Sequence, residues 1–179
     1  IATWPGNGDP ANGEPALLAP FQDQDGDDLY EPEAGDHPLI RGDRAAYTIQ
    51  RSDISTNDND VECDIHLMVY NYAEPSLADR YNSTFINLRL INRSGADYDS
   101  VRFGLFTDMD LGGHFDDLTE CDSTRGMWFT YNGDDLDADT VQQDVEVTGY
   151  GSQPPAIGFK FLNAPMTSHS AWQDSEDTQ

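Results

Sequence analysis

The sequence predicts an all-β protein, an antiparallel, jelly-roll-like β-sandwich with long acidic metal-binding loops and an extended N-terminal arm. Seven short segments are rich in β-branched and aromatic residues, and stretches rich in Gly, Pro, Asn and Asp separate them. No window of helical length repeats its apolar residues with the roughly 3.6-residue helical period. Short strands joined by such turns are typical of sandwiches and barrels.

Two of the seven predicted strands show the two-residue alternation of half-buried strands. In FINLRLIN, Ile86, Leu88 and Leu90 lie on one side, which makes that face more apolar than the other. The segment VRFGLF alternates in the same way. The predicted strands cover residues 45–50, 61–73, 83–94, 100–108, 126–132, 145–150 and 156–162.

The length of 179 residues fits one domain with a genuine core and is short for two. We expect an extended arm rich in Pro and Gly over residues 1–20, a single β-sandwich over residues 21–166 and a polar tail over residues 167–179. Arm and tail have the composition of segments that normally fray. They are expected either to wrap their own domain or to dock on a neighbouring copy as an added strand.

The net charge of −25, from 34 acids and nine bases, restricts the partners. Such a field repels phosphates, which argues against nucleic acid and against anionic membranes. The apolar runs fall far short of the roughly 18 residues that a membrane span requires. With 37% apolar residues the chain is not a disordered polyelectrolyte. Cations are the expected partners.

The first acidic loop, residues 23–36, places seven carboxylates within fourteen positions. Calcium takes roughly six to eight oxygen ligands, and a D-x-D-x-D run can wrap one ion while backbone carbonyls complete the shell. Gly26 permits the tight bend. The spacing is not that of an EF-hand, because Asp28 stands where the loop glycine belongs and Ala34 where the bidentate acid belongs. The candidate ligands are Asp23, Asp25 and Asp27, with Glu31, Glu33 or Asp36 closing the shell.

The second acidic loop, residues 108–122, nearly repeats this pattern, and Gly112 and Gly113 turn the chain within it. A third cluster at residues 132–139 either forms its own site or completes the second one. Magnesium is disfavoured, because it rarely uses all-protein cages. The candidate calcium ligands are Asp108, Asp110, Asp116, Asp117 and Asp122, together with Asp137 of the third cluster.

A halophilic surface is the alternative explanation of the acidity. Many acids with one lysine, Lys160, would solvate a protein in high salt. However, the segments 23–36, 108–122 and 134–139 hold seven, six and four acids, half of the total. A solvating coat would be spread over the outer faces of the strands. Calcium loops are therefore favoured, and a salty habitat is compatible with them.

Four motif-rich segments follow one another between residues 19 and 166: APFQDQDGDDLYEPEAGDHPLIRGDRAAYTI, TFINLRLINRS, FGLFTDMDLGGHFDDLTECDSTRGMWFTYNGDDLD and GYGSQPPAIGFKFLNAP. Their order resembles a recurrent region of large secreted surface proteins of Bacteroidetes and related environmental bacteria. Glu120 departs from the glycine of that pattern, and Asn163 begins a further departure. The resemblance implies secretion, a cell-surface or extracellular location and this architecture, but it implies no activity.

The two cysteines, Cys63 and Cys121, lack the CxxC or Cys/His spacing of zinc and redox sites. In an oxidising compartment they could pair, and the closed loop would contribute about 4 kcal/mol in the chain-entropy model. We favour this bridge, and two free thiols are the alternative.

Catalytic constellations are absent, since neither HExxH nor GxSxG occurs. His66 is expected to be a packed or surface residue. His114 could be recruited by a softer metal, and Glu62 and Glu74 could form a glycosidase pair across a sandwich. The residues favour a protein that is not an enzyme.

These observations predict a non-catalytic, calcium-stabilised structural or adhesive module of the cell surface, with self-assembly into a fibre or coat as one form of it. Arm or tail would carry the self-association. The alternative is a glycan-binding module that uses Trp4, Trp128, Trp172 and the eight tyrosines as a stacking platform. A carbohydrate-active enzyme ranks third.

Overall fold

The computed structural model of this protein describes residues 2–52, 61–142 and 144–171. This part is all-β with several antiparallel sheets, which confirms the predicted fold class. The chain divides into two compact units, Ile1–Val101 and Arg102–Gln179, and each contains one three-stranded and one two-stranded sheet. The packing of sheets into a sandwich and the single domain remain predictions.

The described residues of the first unit, 2–52 and 61–101, form five strands and two short helical turns. A 3-10 turn, Pro10–Asn12, lies in the arm, and helix α1, Ala78–Tyr81, precedes the last strand. The strands are β1 (Phe21–Gln22), β2 (His37–Pro38), β3 (Arg44–Ser52), β4 (Cys63–Asn71) and β5 (Phe85–Asn92).

Strand β4 is the centre of the main sheet of this unit and pairs antiparallel with β3 and β5. Met68 lies between Tyr47 and Asn87, and the next row on the same face places His66 opposite Arg89. Residues directly opposite in an antiparallel pair point to the same side. His66 and Met68 are buried. The polar face of this sheet is therefore covered.

The apolar face predicted for β5 is partly exposed. Ile86 is 57% and Leu90 43% exposed, and the neighbours Ile65, Leu67 and Val69 on β4 are half-buried. The predicted alternation of apolar residues in β5 agrees with the strand register, which places these residues on one face. Which face receives a cover depends on segments distant in the chain, and these lie on the opposite side of the sheet.

The N-terminal arm turns back on itself and packs on its own unit. Asn7 bridges to Leu17. The side chain of Asn7 also accepts the N–H of Tyr30 at 2.6 Å and donates to the carbonyl of Tyr30 at 3.0 Å. Trp4 packs against the ring of Tyr47, with 5.0 Å between the centroids. Of the two expectations for the arm, its described residues follow the one in which it wraps its own unit.

The second unit begins its regular structure within the second acidic loop, with a 3-10 turn at His114–Asp116. Its main sheet has the order β10-β7-β6, and β8 and β9 form a separate ribbon. The strands are β6 (Asp117–Asp122), β7 (Met127–Asn132), β8 (Thr140–Gln142), β9 (Val145–Val147) and β10 (Ala156–Lys160).

Strand β7 carries the buried residues of this sheet on one face. Trp128, Thr130 and Asn132 are buried, whereas the residues between them are half-buried. The indole of Trp128 stacks on Phe159 at 5.4 Å and donates its N–H to the hydroxyl of Thr107 at 3.1 Å. Trp128 is thus a core residue, which argues against its use in a stacking platform. Trp172 lies outside the described residues, as does the end of the tail, residues 172–179.

Six of the seven predicted strand segments contain a strand. The prediction of a strand at residues 100–108 is wrong. Residues 100–108 form no ladder with any described strand, and Ser100 has a φ of +60°. A two-residue alternation reports which side chains share a face, but it does not supply a partner strand. The sequence does not predict strand β6, because its acidic residues are more typical of a loop.

The predicted bridge between the cysteines is not formed. Cys63 is a buried free thiol at the start of β4, and Cys121 is an exposed free thiol in β6. The two residues belong to different units of the chain.

We therefore expect two thiols of very different reactivity. Without reductant, a thiol reagent should modify Cys121 rapidly and Cys63 only after denaturation, because burial excludes the reagent. Intact mass after alkylation measures both steps. Cys121→Ser should abolish the fast reaction. A denatured, unreduced protein that takes up no label would instead establish the bridge.

Candidate metal centre

Three carboxylates of the first acidic loop converge. Asp23, Asp25 and Asp27 each offer an oxygen, and these oxygens lie within 4.8 Å of one another. Asp23 is half-buried, and the other two are exposed. Within the described residues, no other group of three or more His, Cys, Asp or Glu side chains converges in this way. Three such oxygens around one point are the beginning of a hard-cation shell.

The backbone of the loop curls around Asp23. Its carboxylate accepts the N–H of Gly26 at 2.7 Å and that of Asp28 at 3.0 Å. Gly26 and Asp28 both have left-handed backbone conformations, with φ of +79° and +63°. A carboxylate of Asp27 accepts the N–H of Leu29 at 2.8 Å. These local bonds are typical of Asp in tight turns, and they fix the direction of the acidic side chains.

The electrostatics of the triad differ from one residue to the next. The backbone N–H groups of Gly26 and Asp28 lower the pKa of Asp23. Desolvation, and then the charges of Asp27 and Asp23, raise the pKa of Asp25. The charge of Asp27 likewise raises the pKa of Glu31. The loop therefore concentrates negative charge that a cation would neutralise.

Asp36 closes the first loop through the backbone. It is 2% exposed, and its two oxygens accept the N–H groups of Gln24 and Glu31, each at 2.8 Å. A buried carboxylate without a basic partner is tolerated when backbone donors satisfy it. Asp36 thus joins the two ends of the loop, while its predicted role as a closing ligand stays a prediction.

Asp137 is the counterpart of Asp36 in the second unit. It is also 2% exposed, and it accepts the N–H of Gly113 at 2.7 Å and that of Tyr150 at 2.9 Å. Gly112 has a φ of +57°, and a Cβ there would collide with the Asp137 carboxylate. A Cβ at Gly149 would meet the backbone of Asp137 and its neighbour. Three glycines therefore allow the chain to close around this one carboxylate.

Three buried oxygens in the described part of the second unit lack a protein partner, namely Oδ1 of Asp117, Oδ1 of Asn132 and Oγ1 of Thr140. Asp117 accepts the N–H of Leu111 at 2.7 Å through Oδ2, but its Oδ1 is buried without a hydrogen bond. Asn132 lies directly opposite on β7, and its Oδ1 is buried and unpartnered as well. Desolvation, and to a smaller degree the charges of Asp116 and Asp137, raise the pKa of Asp117. Two facing acceptors of this kind require a donor or a cation between them.

Asp122 is separated from the oxygens of Asp117 and Asn132 by the length of β6. It stands at the far end of the strand, about 17 Å from Asp117 at the usual rise per residue. Its carboxylate already accepts the backbone N–H groups of Thr124 and Arg125 and a guanidinium N–H of Arg125 at 2.6 Å. Asp122 therefore cannot share an ion with Asp117, and it stabilises the turn between β6 and β7 instead.

The remaining candidates of the second loop are less organised. Asp108 and Asp110 are exposed, and Asp116 is half-buried and accepts the N–H of Gly133 at 2.9 Å through its backbone carbonyl. Sequence reasoning missed Asn132, although it begins the third cluster. The strand register, which places Asn132 opposite Asp117, identifies its amide oxygen as a candidate metal ligand.

The glycosidase arrangement does not occur. Glu62 precedes β4 and Glu74 follows it, so that a strand of nine residues lies between them. Such a strand spans roughly 27 Å, several times the separation of a catalytic carboxylate pair. No helix in the described part of the chain is long and apolar enough to cross a bilayer.

Neither a protein-family model, nor a curated protein, nor a solved structure matches this chain. The fold and the site by themselves define an all-β protein with an acidic loop whose three aspartates could hold a metal ion.

We expect Asp137→Ala to lower the free energy of unfolding by about 2–4 kcal/mol and Asp36→Ala by about 1–3 kcal/mol, because each leaves two backbone N–H groups unpaired. The loss is larger for Asp137, whose bond to Gly113 is buried. Urea unfolding at a fixed calcium concentration measures both.

The matched controls are Asp135→Ala and Asp97→Ala, each of which removes one exposed acid from the same unit as one of the buried positions. They also reduce the net negative charge by one, so they should be neutral or slightly stabilising. Equal losses in the controls and in the buried positions would contradict the structural role of the two buried carboxylates.

Proposed function

We propose that this protein is a non-catalytic, calcium-stabilised extracellular module of a bacterial surface protein, with a structural or adhesive role. The observation that carries the proposal is the convergence of Asp23, Asp25 and Asp27. Calcium accepts carboxylates, backbone carbonyls and water in an irregular shell of roughly six to eight oxygens. The three aspartates supply the charged part of such a shell. The resemblance to secreted surface proteins supports the location.

Repulsion within the loop favours a divalent ion over a solvation coat. Acids of a solvating surface keep apart, whereas the local bonds of this loop hold Asp23 and Asp27 beside Asp25. Desolvation, and then the charges of Asp27 and Asp23, raise the pKa of Asp25, so part of this shift reflects repulsion within the loop. A bound ion of charge +2 would offset this repulsion. Magnesium suits the site less, since it demands a near-octahedral shell and gives up its water reluctantly.

A second ion at Asp117 and Asn132 is part of the same proposal. Both unpartnered atoms are acceptors, and one of them carries a negative charge in a desolvated position. Asp108, Asp110 and Asp116 would add further oxygens. A water molecule could donate to both atoms as well, but it would leave the charge of Asp117 without compensation.

Structural or adhesive use follows from a fold that only calcium makes rigid. If one ion binds with a dissociation constant near 10 μM, about 1 mM free calcium contributes roughly 2.7 kcal/mol per site. Two sites would supply a large share of a typical stability of about 5–15 kcal/mol. Self-association through the arm or the tail remains part of the proposal, although the described arm packs on its own unit. The buried position of Trp128 weighs against the glycan-binding alternative.

The test of the first site is a melting experiment. Chelator should lower the melting temperature sharply, and calcium should restore it where sodium chloride of equal ionic strength does not. Asp25→Ala and Asp110→Ala should each remove part of the calcium response, because they remove a ligand from different loops. Differential scanning calorimetry measures the response.

Asp97→Ala is the matched control, since it removes an exposed acid outside the three acidic segments. It should keep the whole calcium response. Rescue of the chelated protein by sodium chloride alone would show that the acids form a solvation coat, and the proposal would then fail.

The second site has its own test. Isothermal titration should give two calcium ions per chain, and Asp117→Asn should reduce this number to one, because the neutral amide no longer compensates the ion. Asp135→Asn serves as control and should leave two. One ion in the unmodified chain, or two ions in Asp117→Asn, would show that water occupies the position between Asp117 and Asn132.

A further inference from the structure

A cavity of about 340 Å³ lies on the covered, polar face of the first unit's main sheet. Its floor is made by His66 and Met68 of the central strand, with Tyr47 and Arg89 on the flanking strands. Residues that follow β2, including Leu39 and Arg41, form part of its wall. The volume falls at the lower end of the range usual for small-molecule sites, roughly 300–1,000 Å³.

His66 lines this cavity and carries a buried polar atom without a protein partner. It is 3% exposed, and its Nδ1 lies 2.7 Å from the hydroxyl of Tyr47, while its Nε2 is buried without a protein partner. Desolvation raises the pKa of Tyr47, and desolvation followed by the charge of Arg89 lowers the pKa of His66. In one tautomer of His66, the phenol of Tyr47 donates to Nδ1 of a neutral imidazole. The proton of that imidazole then resides on Nε2, which is a donor that needs an acceptor.

Two arginines, Arg41 and Arg89, line the same cavity, and neither has a carboxylate partner among the described residues. Likewise, no Asp or Glu of the described part of the chain lines the cavity. On the same face of β4, Asp64 lies two residues before His66. Its carboxylate forms ion pairs with Arg51 and Arg93. The chain has 34 acids and nine bases, so a cavity whose charged lining residues are arginines without any acid is unusual for this protein.

We propose that this cavity binds a small organic carboxylate. The carboxylate of the ligand lies between Arg41 and Arg89 and accepts the Nε2–H of His66, which supplies the missing acceptor. Charge-assisted bonds of this kind are the strong ones, and guanidinium groups match carboxylate geometry. The apolar body of the ligand rests on Leu39 and Met68, a surface that an inorganic anion would leave unused. This site is independent of the calcium proposal.

The net charge of −25 does not exclude an anionic ligand. At physiological ionic strength, exposed charges more than about 8 Å apart are largely screened. The two arginines within the cavity therefore dominate the local potential. Binding should consequently strengthen as salt rises from very low values toward physiological ones, the reverse of the usual trend for an anion at an arginine site.

The probes are benzoate and benzyl alcohol, which share an aromatic body and differ in the carboxylate. Titration in physiological salt with calcium present, followed by two-dimensional amide NMR, should show saturable shifts around Tyr47, His66 and Arg89 with benzoate. Benzyl alcohol should bind at least about tenfold more weakly, the loss expected for one charged group. Arg89→Gln and Arg41→Gln should each weaken benzoate by a similar factor, and both positions are exposed, so the variants should fold.

Arg102→Gln, which removes an exposed arginine of the second unit, is the matched control and should bind benzoate like the unmodified chain. Unchanged affinity in both cavity variants would overturn the proposal, as would equal binding of benzoate and benzyl alcohol. Absence of saturation up to about 10 mM benzoate would overturn it too. Sulfate is the last probe: if it binds as tightly as benzoate, the cavity is a simple anion site and the organic carboxylate is rejected. Failure here leaves the calcium response untouched.

Discussion

Two buried carboxylates, Asp36 and Asp137, impose the constraint on which the acidic loops depend. Neither forms an ion pair with a described residue, and each is satisfied by two backbone N–H groups from 5 to 24 positions away in the chain. Leaving such a group unsatisfied is costly, so the loop backbone must adopt the conformation that delivers those donors. In the second unit this requirement extends to the glycines that surround Asp137. The exposed acids acquire their positions as a consequence.

That constraint creates local repulsion and unpartnered acceptors that a bound cation would offset. The backbone bonds hold Asp23, Asp25 and Asp27 together although their charges repel one another. In the second unit, burial of Asp117 opposite Asn132 leaves acceptors that face each other without a donor. In both places the fold fixes oxygen atoms in advance, which would limit the entropy lost if an ion binds. Under the proposed function, stability and metal binding would be two aspects of one arrangement.

The sequence was sufficient for the fold class, because alternation and turn residues report strands directly. It failed at residues 100–108, where alternation occurs without a partner strand, and at Asp117–Asp122, where pairing with a neighbouring strand overrides the low strand propensity of acids. A metal ligand and a carboxylate that accepts backbone N–H groups look alike in sequence. The sequence therefore could not predict that Asp36 accepts the N–H groups of Gln24 and Glu31. Asn132 needed the strand register, which only the folded chain supplies.

The most direct measurement is a crystal structure of the calcium-loaded protein with anomalous scattering from the ion. The account predicts a peak between Asp23, Asp25 and Asp27, with carboxylate oxygens at about 2.3–2.6 Å, and a second peak beside Asp117 and Asn132. Water at hydrogen-bonding distance in both positions, with no anomalous signal in crystals grown at millimolar calcium, would contradict the claim that these loops are built to hold an ion.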